Sequence, residues 1–153
     1  MDEPDDGANV DRIFAFNPLP GNYTVGPLTL SALDLPDHVP NSGVRIAFRD
    51  LTIAYTGDAG ASEALAELAA GVDLLLAEAS HRHQQPGVPP SPISGYHLSG
   101  ADAGRFAAGA GVGSLVLTHF WPGNDREATR AAAAAHFAGP IALAEEGMVV
   151  SLG

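Results

Sequence analysis

Tyr55-Thr56-Gly57-Asp58-Ala59-Gly60 closes an apolar run over residues 51–56 and turns the chain between two glycines. Gly57 and Gly60 let the backbone bend where a larger residue would resist, so the Asp58 carboxylate is expected to face a cleft. An aspartate in this setting either bonds to nearby backbone and caps a helix starting at Ser62, or serves as a metal ligand. Two distant histidines share the setting. His97 opens the loop before a predicted helix and His119 follows another apolar strand, so each is held by rigid structure yet open to solvent. Taken singly, each has an ordinary structural explanation, because a strand-end or loop histidine is more often hydrogen-bonded than ligating.

Outward from this turn, the upstream chain reads as a β-meander. Residues 12–16 and 28–33 alternate in polarity, and the strand-like runs 44–48 and 51–56 are separated by Arg49-Asp50, the length of a tight hairpin. Downstream the period changes. Ala64, Leu65, Leu68 and Ala69 fall on one helical stripe, with Ser62 as N-cap and Gly71 beyond the C-terminus. Residues 72–77 are apolar on both faces, as a buried strand requires. The proline-rich segment 84–95 is a surface loop. A second helix spans 100–110 behind a Ser99/Asp102 capping box, and strand 114–118 ends at His119. A third helix starts from Asp125 and stops before Gly139-Pro140, and strands 141–144 and 148–152 turn at Glu145-Glu146-Gly147. The pattern predicts an α/β chain in the α+β sense: a mixed β-sheet with helices over one face.

The 153 residues are 46% hydrophobic and 16% charged, enough apolar material for one compact domain over residues 12–153 behind a disordered acidic start at 1–11. No run approaches the roughly 18 apolar residues of a membrane span, and the acidic amino terminus lacks the character of a signal peptide, so a cytoplasmic location is expected. A net charge of −11 opposes binding to nucleic acid or anionic membrane. There is no cysteine, so any metal must be held by histidine and carboxylate.

Asp58, His97, His119 and His38 each lie beside a predicted strand end or helix start, where side chains converge on one rim of a sheet. Such a set suits a divalent metal that activates water. At these residues the chain resembles the metallo-β-lactamase superfamily, in its tRNase Z-like branch. The matching segments, in family order, are His38 before Gly43-Val44-Arg45, Tyr55-Thr56-Gly57-Asp58, Glu78-Ala79-Ser80, His97-Leu98-Ser99 and Leu117-Thr118-His119. The resemblance implies the C-terminal half of an αββα sandwich. It further implies that Asp58 bridges two metals, that His119 and His38 ligate one each, that His97 contacts the scissile group and assists its departure, and that Glu78 orients His97 or a ligand. Zinc is the expected metal, with manganese or iron as alternatives.

The family's His-x-His-x-Asp-His motif is absent; the nearest approximation, His81-Arg82-His83, lacks the following Asp-His and reads as surface histidines. Asp58, His119 and His38 spread over two metal positions leave each short of the roughly four ligands a tight site needs. A lone half-sandwich also exposes its inner face. The chain is therefore expected to be truncated, to pair with a separately encoded N-terminal half, or to form a homodimer. The leading functional expectation is a hydrolase that cleaves a phosphodiester or ester bond of a small-molecule substrate with a metal-bound hydroxide. The alternatives are a non-catalytic half-domain remnant and an interaction module that uses the proline-rich loop.

Overall fold

The computed structural model describes residues 13–81 and 95–152. Its strands are β1 (Asn22–Val25), β2 (Leu28–Leu35), β3 (Asn41–Phe48), β4 (Leu51–Tyr55), β5 (Leu74–Glu78), β6 (Ser114–Thr118) and β7 (Ile141–Leu143). Helix α1 (Glu63–Ala69) follows β4, α2 (Gly100–Gly109) follows β5, and α3 (Arg126–Ala134) follows β6. The seven strands form one sheet in sequence order. The hairpin half, β1 to β4, is antiparallel, and each later strand adds parallel after a helical crossover. This is the mixed sheet predicted from the change of period.

Each helix begins where its cap is encoded. Ser62 accepts from the Leu65 amide at 3.1 Å, and Asp125 accepts from the Ala128 amide at 2.9 Å. Ser99 and Asp102 form the expected reciprocal box. At the other end of α1, Arg45 reaches across from β3 and donates to the carbonyls of Leu68 and Ala70, which lack partners inside the helix. Helices α2 and α3 approach closely because two glycines face α3. A Cβ at Gly100 would lie 2.2 Å from the Thr129 carbonyl oxygen, and one at Gly104 2.4 Å from that of Ala133.

The helices cover one sheet face, where Ala54, Leu75, Ala77, Leu115 and Leu117 join Leu65, Leu68 and Leu98 in the core. The strand register puts a second apolar set on the opposite face. Ala32, Val44, Tyr55, Leu76, Val116 and Ala142 align across six strands, and none of them belongs to that core. Tyr55 is exposed there, and Val44, Leu76 and Ala142 are only half-buried.

Two expected strands are absent. Residues 13–16 of the first carry no strand; Ile13, Phe14 and Phe16 are exposed, and β1 begins only at Asn22, after the proline turn. Residues 148–152 likewise carry no strand: Met148 closes a turn onto Glu145, and Val149 is 86% exposed. Alternating polarity makes a strand only where a neighbour completes its ladder. The acidic start 1–11, most of the loop 84–95, and Arg82 and His83 lie outside the described residues.

Asp73, just before β5, fixes the register of the first parallel pair. Its Oδ2 accepts from the Thr52 amide at 2.7 Å and from the Thr52 hydroxyl at 3.1 Å, and these bonds hold its carboxyl below the usual range. A lowered carboxyl stabilises the fold in full above its ordinary value of 3.8, and the contribution is lost as pH falls through the lower folded value. Asp73→Asn is accordingly expected to lower the urea midpoint near neutral pH, with the difference from the parent shrinking in acid. An equal difference at all pH values would contradict this role.

Candidate metal and hydrolytic site

Parallel strands β4, β5 and β6 end on the same rim, since Tyr55 pairs with Leu76 and Glu78 with Thr118. In open α/β sheets this carboxyl-end rim is where ligands bind. Glu78 is the last residue of β5, and the segments leaving β4 and β6 carry Asp58 and His119. His97 joins them from the start of α2, two residues before the Ser99 cap.

Asp58 is the meeting point. Its Oδ1 lies 2.6 Å from His97 Nδ1 and 3.5 Å from His119 Nδ1. His97 is buried, 5% exposed, whereas the Asp58 and His119 side chains remain open to solvent. Local packing holds the Asp58 turn in place: the Gly60 amide donates to the Pro36 carbonyl at 2.8 Å, and a Cβ at Gly60 would lie 1.9 Å from the Gly95 carbonyl oxygen. Glycine is required there because the segment leading to His97 lies directly against the turn.

Glu78 is fully buried and joins two segments. Its Oε2 accepts from the Ser80 amide and its Oε1 from the Leu98 amide, both at 2.7 Å. Burial pushes its carboxyl up; the two amide bonds oppose the shift, and the neighbouring Asp58 charge adds to it. Oε1 also lies 3.4 Å from His97 Nδ1. A charged or polar group sealed among backbone amides in this way braces the segment that carries His97.

Asp58, Glu78 and His119 offer ligand atoms that all lie within 4.8 Å of one another. Two carboxylates and an imidazole are suitable donors for zinc, manganese or iron. Glu78 already spends both oxygens on backbone amides, which leaves Asp58 and His119 as the accessible pair. His38 stands apart from this set. It is 63% exposed, pairs with Asp37 Oδ1 at 2.7 Å, and meets the Tyr96 ring edge-on at 6.3 Å between centroids.

Sequence reasoning did not anticipate the backbone at His119, where φ is 57°. A non-glycine residue in this left-handed region costs about 1–2 kcal/mol, and such outliers concentrate at functional sites. Only the Pro122-Gly123 turn that follows hints at it in the sequence. His119→Gly is expected to be more stable than His119→Ala by about 1 kcal/mol, because alanine keeps the strain and loses the side chain. Thermal unfolding of the two variants measures this, and an equal or lower midpoint for glycine would show that His119 is unstrained.

Comparison with known proteins shows the family of the chain and its fold. The model of the β-lactamase superfamily domain matches residues 7–120. The Mycobacterium tuberculosis protein Rv1339 is 42% identical over 119 residues, a match covering 77% of this chain and 42% of Rv1339. The crystal structure of the metallo-β-lactamase fold protein YhfI from Bacillus subtilis superposes with a TM-score of 0.76 at 30% identity, covering 88% of this chain and 54% of YhfI. Ribonuclease Z of Mycolicibacterium paratuberculosis is 34% identical over 113 residues, covering 70% of this chain and 40% of that protein. The chain thus spans about half the length of the relatives it matches. With its mixed sheet and its rim of aspartate and histidine, the chain belongs to the β-lactamase superfamily and carries the metallo-β-lactamase fold.

Proposed function

We propose that this chain supplies one half of the active site of a metal-dependent hydrolase acting on a phosphodiester or ester of a small molecule. The observation that supports this most is the convergence of His97 and His119 on one Asp58 oxygen, at 2.6 and 3.5 Å. Asp58 and His119 would hold the metal, zinc before manganese or iron. A divalent ion there supplies Lewis-acid polarisation of the reacting group and activation of water. His97, oriented by Asp58 and backed by Glu78, would face the leaving group as proton donor. Burial around Glu78 keeps water from the back of the imidazole.

The remaining ligands would come from a second polypeptide segment. The sheet face with Val44, Tyr55 and Leu76 is apolar and not part of the core formed with the helices, so another layer is expected to cover it. Relatives about twice as long make the other half of a sandwich the favoured cover, with a homodimer of this chain as the alternative. Among the described residues no helix is long and apolar enough to cross a membrane. The charge of −11 favours a small substrate over RNA, although one relative is named ribonuclease Z.

A non-catalytic remnant is the competing possibility, and metal dependence separates the two. Zinc, manganese and iron content, and hydrolysis of a bis-aryl phosphodiester, are to be measured on the protein and on Asp58→Ala. The proposal expects the variant to lose metal affinity and hydrolysis by about 100-fold or more, since even groups that only support a ligand are worth about 10–100-fold. Unchanged metal content and unchanged hydrolysis would overturn it.

A further inference from the structure

The sheet has two edges, and they are guarded differently. At β7 the strand is only 3 residues long and runs on into Glu145-Glu146, a short edge beside charge that discourages a further strand. At β1 the strand Asn22-Tyr23-Thr24-Val25 carries neither charge nor proline. The neutrality extends well beyond it: residues 13–33 contain no Asp, Glu, Lys, Arg or His, in a chain of net charge −11.

The hairpin with β2 fixes which peptide groups of β1 face outward. The Gly21 carbonyl accepts from the Ala32 amide at 2.9 Å, and Asn22 lies opposite Ser31. Antiparallel pairs alternate, so Gly21, Tyr23 and Val25 turn their peptide groups toward β2 while Asn22 and Thr24 turn theirs away. Among the described residues no hydrogen bond reaches those outward amides and carbonyls. Beside this edge lies a groove of about 460 Å³ whose walls include Phe14, Phe16, Leu19, Tyr23, Val25 and Leu30. Phe14, Phe16 and Val25 are 60%, 70% and 58% exposed. Tyr23 fastens one wall in place, since its hydroxyl donates to the Pro18 carbonyl and a Cβ at Gly21 would lie 2.9 Å from its ring. An open strand edge beside an apolar groove is a surface on which another strand docks.

Charge selects the occupant. Two chains of net charge −11 repel where their acidic surfaces meet, and this neutral stretch lets them touch without that repulsion. We propose that β1 pairs antiparallel with β1 of a second copy of this chain, joining the two sheets edge to edge across a two-fold axis. The outward peptide groups favour one register. Asn22 lies opposite Thr24 of the second copy and Thr24 opposite its Asn22, each pair exchanging both of its bonds, with the two Tyr23 residues facing each other at the axis. An axis at Asn22 would set Thr24 against Pro20, which has no amide hydrogen, and an axis at Thr24 would set Asn22 against Gly26, whose φ of 56° leaves the strand. The pairing lengthens the sheet and leaves its faces and the Asp58 rim as they are, so it is separate from whatever covers the apolar face.

Sedimentation equilibrium over about 1–200 µM tests this, since a small interface of this kind associates with a Kd of about 1–100 µM. A reversible monomer–dimer equilibrium is expected for the parent chain. The double variant Asn22→Lys/Thr24→Lys sets like charges opposite each other in both pairs and is expected to weaken dimerisation about tenfold or more, whereas Asn22→Lys/Thr24→Glu sets opposite charges there and is expected to hold it within about threefold of the parent. Thr24→Pro removes an outward amide and no bond to β2, and is expected to weaken the dimer as the two lysines do. Asn22 and Thr24 are exposed, so these changes leave the core untouched. A parent that stays monomeric throughout this range, a dimer indifferent to the two lysines or to the proline, or equal loss in both charge variants would overturn the proposal.

Discussion

The hydrogen bond between Asp58 Oδ1 and His97 Nδ1, at 2.6 Å, is the constraint on which the rest of the site depends. It joins residues 39 positions apart and brings a buried imidazole to the edge of an open cleft. A carboxylate with one oxygen toward His97 and His119 is oriented by the protein before any ion or substrate binds, and such prior orientation lowers the cost of building a reactive geometry. The bond would be weak on a loose scaffold. Here each partner is fixed from behind, Asp58 by the Gly60 contact and His97 by the segment that Glu78 anchors.

The sheet explains why these side chains meet. Because β4, β5 and β6 run parallel and in register, each helical crossover returns the chain to the same rim, and the residue leaving each strand lands beside the last. The antiparallel half plays a different part. Its β3 supplies Arg45 to close α1 and its hairpin leads into β4, so the meander sets the position of the Asp58 turn. The same sheet leaves one apolar face outside the core that the helices cover.

Much of this was legible in the sequence because the signals were local. Ser62, Ser99 and Asp125 announce their helices through short-range hydrogen bonds, and the apolar runs at β5 and β6 reflect burial on both faces. The candidate residues were legible because each follows a strand or precedes a cap. What escaped was non-local or conformational. The alternation at 13–16 and 148–152 is real, yet no neighbouring ladder receives it. The left-handed backbone of His119 is not encoded by residue type, and the pairing of Asp37 with His38 depends on how one loop closes.

The most direct test of the central claim, that Asp58 and His119 are metal-bearing residues, is anomalous diffraction at the zinc edge from crystals of the protein grown with zinc. The account predicts a peak about 2.0–2.2 Å from an Asp58 carboxylate oxygen and from a His119 ring nitrogen. An ion held only by other residues, such as the Asp37 and His38 pair, or no peak beside Asp58, would contradict it.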